Sequence, residues 1–113
     1  MKIKFNNKYD CKLNTSALIK IEEELGYNPL TSLFNDDIPK FTVITCVIYN
    51  AMKACEKNLT RDDFCERIDD YLDESGDLMT LSNFVYDLYK ASGLVKLPTM
   101  EEAEETEEKT EKN

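Results

Sequence analysis

The first thirteen residues, MKIKFNNKYDCKL, alternate in polarity. Ile3 and Phe5 fall on one side and Lys2 and Lys4 on the other; Tyr9, Cys11 and Leu13 repeat the pattern after Asn6-Asn7. A period of two predicts strands. Asparagine tolerates positive φ, so Asn6-Asn7 suits a tight primed turn between them. A lone hairpin is marginal in water, and its apolar face is expected to lie on helices.

From residue 14 onward the period lengthens. Asn14 or Thr15 can cap a segment in which Leu18, Ile21 and Leu25 share a face, with Glu22, Glu23 and Glu24 solvated and Gly26 ending the helix. Asn28-Pro29 reads as the cap and first-turn proline of a short helix, LTSLF. Residues 38–57, IPKFTVITCVIYNAMKACEK, are the most apolar part of the chain, and TVITCVIY is β-branched enough for a buried strand. Helix is preferred because Phe41, Ile44, Val47, Ile48, Ala51, Met52 and Cys55 form one continuous stripe. Val43, Cys46 and Ala54 make the other side apolar too, which predicts a central helix.

The next start is marked by LTRDDF. Thr60 caps, Asp63 stands three residues on in a capping box, and Leu59 can staple onto Phe64. Phe64, Cys65, Ile68, Tyr71 and Leu72 are expected to face inward. A last helix over 78–92 turns Leu78, Leu81, Val85, Leu88 and Tyr89 inward, with Gly93 past its end. After Pro98, TMEEAEETEEKTEKN carries seven Glu and two Lys with almost no apolar side chains. It cannot offset its own ordering entropy and is expected to be disordered. The predicted architecture is mostly α: a short N-terminal β-hairpin on a bundle of about four to five helices (1–97), then an acidic tail (98–113).

Charge narrows the function. Among 113 residues, 23 acidic and 14 basic side chains give −9. Phosphate neutralisation needs clustered Lys and Arg, so neither nucleic acid nor an anionic membrane surface is an expected partner. There is no histidine, the commonest general base and transition-metal ligand. Cys11, Cys46, Cys55 and Cys65 lack paired zinc spacing and are expected to be reduced, half-buried thiols. No apolar N-terminal run reads as a secretory signal, and no stretch reaches membrane-spanning length. Nothing marks a catalytic base, and there is no glycine-rich phosphate loop, so neither an enzyme nor a cofactor is expected.

Three features could carry function. YLDESGDLMTLS (71–82) places acids around Gly76, but a calcium loop with that glycine sixth would put Tyr71 first and Ser82 twelfth, where carboxylates are required. It reads as a helix joint. Along the 60–77 segment, Asp62, Asp63, Glu66, Asp69, Asp70 and Asp73, with Glu74 and Asp77, outnumber Arg61 and Arg67. Such a face is either plain solvation or a surface for a basic partner. Met79 and Tyr86 lie seven residues apart on the last helix, off its main apolar stripe, and with Phe84 are candidates for partner binding or self-association.

The order of parts resembles a known family. MKIKFNNKYDCKLNTSALIKIEEELGYNPL, a central apolar helix, then NLTRDDFCERIDDYLDESGDLMTLSNFVYDLYKASG is similar to tail assembly chaperones of long-tailed, siphovirus-type bacteriophages. The likeness lies in the hairpin, the ELG helix exit, the LT-x-x-D helix start and the YLDE-x-GDL joint, over about residues 1–95. Asn6-Asn7 departs from the Asn-Gly often found there, and the family pattern does not account for the cysteines. The resemblance implies a non-enzymatic protein of the bacterial host's cytoplasm, absent from the finished virion. It would bind the helical, apolar tape measure protein and keep it soluble while tail tube protein subunits assemble. Many such chaperones also exist as a frameshifted longer form whose extension recruits tube subunits. Two other readings compete: an acidic DNA mimic that inhibits a host defence or nucleic-acid-binding protein through the 60–77 face, and a small structural adaptor found in virions.

Overall fold

The computed structural model describes residues 1–30 and 39–93. Strands β1 (Ile3–Phe5) and β2 (Tyr9–Cys11) pair antiparallel, with Ile3 opposite Cys11 and Phe5 opposite Tyr9. Asn6 and Asn7 both take positive φ, 53° and 58°, and Lys8 N–H closes the turn on the Phe5 carbonyl at 3.0 Å. The side chain of asparagine makes that region accessible without glycine. On the outer face Lys4 and Asp10 sit opposite each other and pair at 2.9 Å.

Four helices follow among the described residues: α1 (Thr15–Leu25), α2 (Phe41–Cys55), α3 (Arg61–Glu74) and α4 (Leu78–Ser92). Asn14 caps α1 by accepting from Ala17 N–H, and Gly26 closes it in the left-handed conformation. The expected LTSLF helix falls mostly outside the described residues, as do the acidic tail and the 97/98 boundary. At its threshold Asn28 Oδ1 accepts from Leu30 N–H at 3.0 Å.

The β-branched run is helical, and α2 is the centre. Every residue from Cys46 to Met52 is buried, so the helix is enclosed over more than one face. It packs against α1, β2 and α4, and Lys12 N–H donates to the Ala51 carbonyl at 2.9 Å, fastening the hairpin to it. Asn50, buried with them, donates to the Cys46 carbonyl at 2.9 Å, which removes the cost of an unpaired amide.

Helix α3 joins through long side chains. Phe64 meets Tyr49 edge-on at 5.3 Å, and Tyr71 lies against Phe5 at 4.9 Å. The Arg61 and Arg67 guanidinium groups sit over the Tyr49 and Tyr9 rings, at 4.3 and 4.0 Å. The inward direction is therefore set by Phe64, Ile68 and Tyr71. Cys65 and Leu72, expected to point inward, are exposed. At about 100° per residue they lie roughly a quarter turn from that direction.

Two helix-initial residues are corrected as well. Phe41 is 48% exposed and Leu78 42% exposed, because each opens its helix before the first turn has reached the core. In α1, Ala17 and Ile21 are buried, while Leu18 and Leu25 are only half-buried. Cys55 is half-buried.

The capping chemistry also moves. Thr60 accepts from Asp63 N–H, but among the described residues only that half of the expected box forms. Aspartate is one methylene shorter than the glutamate that normally reaches back. The reciprocal box forms at α4 instead, between Asp77 and Thr80.

Candidate functional site

The 71–82 stretch is a joint built from both of its helices. Tyr71 O–H donates to Thr80 Oγ1 at 2.7 Å, Thr80 N–H donates to Asp77 Oδ1 at 2.8 Å, and Asp77 N–H donates to Thr80 Oγ1 at 2.9 Å. Glu74 reaches the hairpin, accepting from Asn6 Nδ2 at 3.2 Å with Lys8 at 3.8 Å. Asp77 and Glu74 are thus occupied in holding elements together. Among the described residues no group of three or more potential ligands could hold a metal ion, and no helix is long and apolar enough to cross a membrane.

The three candidate residues of α4 do not form one strip. Met79 is 52% exposed. Tyr86 shares its line on the helix but is half-buried and packs against the core. Phe84 turns toward the hairpin, where it meets Phe5 edge-on at 5.3 Å. The other large apolar side chains exposed near the joint are Leu78, next to Met79 in the chain, and Leu72, 39% exposed, on α3.

The six acids Asp62, Asp63, Glu66, Asp69, Asp70 and Asp73 are all exposed. The arginines of the same helix do not neutralise them. Arg61 bonds both carboxylate oxygens of Glu24 on α1, at 3.0 and 3.1 Å. Arg67 pairs with Glu56 at 2.8 Å.

Beside this acidic face runs a groove that the pattern alone did not reveal. Phe41 and Thr45 of α2 and Arg61, Phe64, Cys65, Ile68 and Asp69 of α3 line a cavity of about 180 Å³. Its signal in the sequence is Cys65, an apolar position displaced from the Phe64–Ile68–Tyr71 line, with Leu72 two turns on in the same direction.

Next to the groove, Glu24 carries a polar cluster that ties three helices. Cys46 Sγ donates to Glu24 Oε2 at 3.2 Å, alongside the Arg61 bonds. Burial pushes the Glu24 carboxyl up, but the hydrogen bonds from Cys46 and Arg61 and the guanidinium charge outweigh it and hold the group below its ordinary value of 4.5. A depressed folded value means that the contribution is complete above the unfolded value and vanishes as pH falls through the folded one. Glu24→Gln is expected to lower stability at neutral pH by about 0.5–1 kcal/mol, an exposed-pair magnitude, and to match wild type once the pH is below the depressed folded value of the carboxyl. Denaturant titrations at stepped pH measure the gap; a gap that persists in acid contradicts the assignment.

All four cysteines are free thiols. Burial pushes both Cys11 and Cys46 up to about 12, so neither offers a thiolate near neutral pH. No protein-family model matches the chain, and no curated protein or solved structure matches it either.

Proposed function

We propose that this chain is a tail assembly chaperone of the long-tailed phage type. In this reading it binds the tape measure protein, keeps it soluble and helps to recruit tail tube subunits in the host cytoplasm, without entering the virion. The resemblance in the order of hairpin, helices and joint supports the reading. The observation that carries it is the presence of large apolar side chains on the surface of a chain of net charge −9, among them Leu72, Leu78 and Met79 near the α3–α4 joint and Phe41 on α2. A protein that shelters another's apolar helices needs such side chains within a charged, soluble exterior.

Coexpression with the long coiled-coil reading frame expected beside its gene tests this. The tape measure protein, insoluble alone, should appear in the soluble fraction and co-elute with the chain on sizing. No gain in solubility overturns the reading. Met79→Asp should leave the circular dichroism spectrum unchanged and reduce co-elution; full co-elution removes Met79 from the client surface.

One observation favours the DNA-mimic alternative. Arg61 and Arg67 are turned to Glu24 and Glu56, leaving the acids of α3 without a cation from their own helix. Salt-sensitive binding to a basic nucleic-acid-binding protein, with no effect on tape measure solubility, would establish that alternative instead.

A further inference from the structure

Apolar and acidic positions of α3 form two parallel stripes, the apolar one made of exposed Cys65 and Leu72 with buried Ile68 beside them. At about 100° per residue, Cys65, Ile68 and Leu72 fall within about 60° of one another along roughly two turns. Asp62, Asp69, Asp73 and Glu66 occupy the next 60° or so of the helix, on the side away from the core. Phe41, from α2, extends the apolar stripe at one end and forms with Phe64 and Ile68 the wall of the groove. At the same angle as the apolar stripe but one turn earlier, Arg61 stands at its N-terminal end, where it is held by Glu24 and lies over the Tyr49 ring. One edge of the apolar stripe is therefore strongly anionic, and the cation at its N-terminal end is already paired.

We infer that this flank, from Phe41 to Leu72, is a docking surface for an amphipathic helix whose apolar stripe is bordered by Lys or Arg. Charge complementarity sets the border: apolar side chains enter the groove while cations meet Asp69, Asp73 and Glu66. Secondary structure follows from backbone accounting. Beyond their first turns the walls are helices whose N–H and C=O groups are mutually bonded, so an extended peptide laid along them would find few backbone partners. A helical partner satisfies its own backbone and presents side chains at the matching spacing.

The inference rests on the proposed chaperone function only for the identity of the client, the helices of a tape measure protein; the surface itself is read from Phe41, Cys65, Leu72 and the acids.

The test uses the full chain and two synthetic alanine-rich helices with the same leucine stripe, one bordered by Lys and the other by Glu. The Lys-bordered peptide should bind, weaken as salt is raised, and shift the amide resonances of residues 65–73. The Glu-bordered peptide should bind at least about tenfold more weakly, as expected when like charges are juxtaposed. Leu72→Asp, at an exposed position, should weaken the Lys-bordered peptide about tenfold. Asp69→Lys with Asp73→Lys should abolish the preference between the peptides. Equal binding of the two peptides, binding of neither, shifts confined to another face, or full binding by Leu72→Asp would each overturn the inference. Tape measure coexpression separates the two claims. If wild type and Leu72→Asp solubilise the client equally, the surface fails and the chaperone stands. If the Lys-bordered peptide docks on α3 while the client stays insoluble, the surface stands and the chaperone fails.

Discussion

Phe5→Ala should destabilise the protein by about 3–5 kcal/mol, the range for truncating a buried phenylalanine. Phe5 is 1% exposed, and its ring touches both Tyr71 of α3 and Phe84 of α4. It is the side chain by which the hairpin, α3 and α4 meet. Alanine would leave a cavity at that junction and dissolve two aromatic contacts, each worth about 0.5–1.5 kcal/mol beyond burial. A single domain holds only about 5–15 kcal/mol in total, so a melting midpoint at least about 12 °C lower is expected. Phe5→Leu, which refills most of the volume, should cost about 1.5 kcal/mol or less. Denaturant unfolding of both variants measures the difference. A loss below about 1 kcal/mol in Phe5→Ala would show that the hairpin is a passive attachment.

That junction illustrates what a single chain of letters can and cannot convey. The hairpin was legible because period two and Asn6-Asn7 are local signals, and the caps at Asn14, Thr60 and Gly26 were legible for the same reason. Helix α2 was legible despite its β-branched residues because its stripe ran for fifteen residues. Orientation was harder. Cys65 and Leu72 were assigned inward because they neighbour Phe64 and Tyr71, yet the facing element decides which side of an apolar arc is covered. Here Tyr49 and Phe5 meet α3 off that arc's centre. The Glu24–Arg61 and Phe5–Tyr71 partnerships join residues far apart in sequence, and no local pattern encodes them. The candidate site divides in the same way. Exposure of Met79 and of the six acids followed from the pattern, whereas the groove needed Phe41, which a different helix supplies.

Gly76 gives the second large effect, for a reason its type alone would not suggest. Gly26 and Gly93 take φ of 80° and 77° with open space where a Cβ would stand, so each serves as a helix stop through backbone conformation. Gly76 has no such φ; a Cβ there would fall inside the Tyr71 ring. The ring cannot swing aside freely. It packs at a tilt against the Phe5 ring, its hydroxyl is held by Thr80, and Gly76 N–H donates back to the Tyr71 carbonyl at 2.8 Å. Gly76→Ala should therefore cost about 1–3 kcal/mol by overpacking, by opening the α3–α4 joint or lifting Tyr71 from Phe5. If the clash is the cause, removing the ring removes most of the penalty, and Gly76→Ala should cost little in a Tyr71→Ala background. A double-mutant cycle by denaturant unfolding reads this as a coupling of at least about 1 kcal/mol. Additive costs would place the defect in the backbone of residue 76 and not in a clash with the Tyr71 ring.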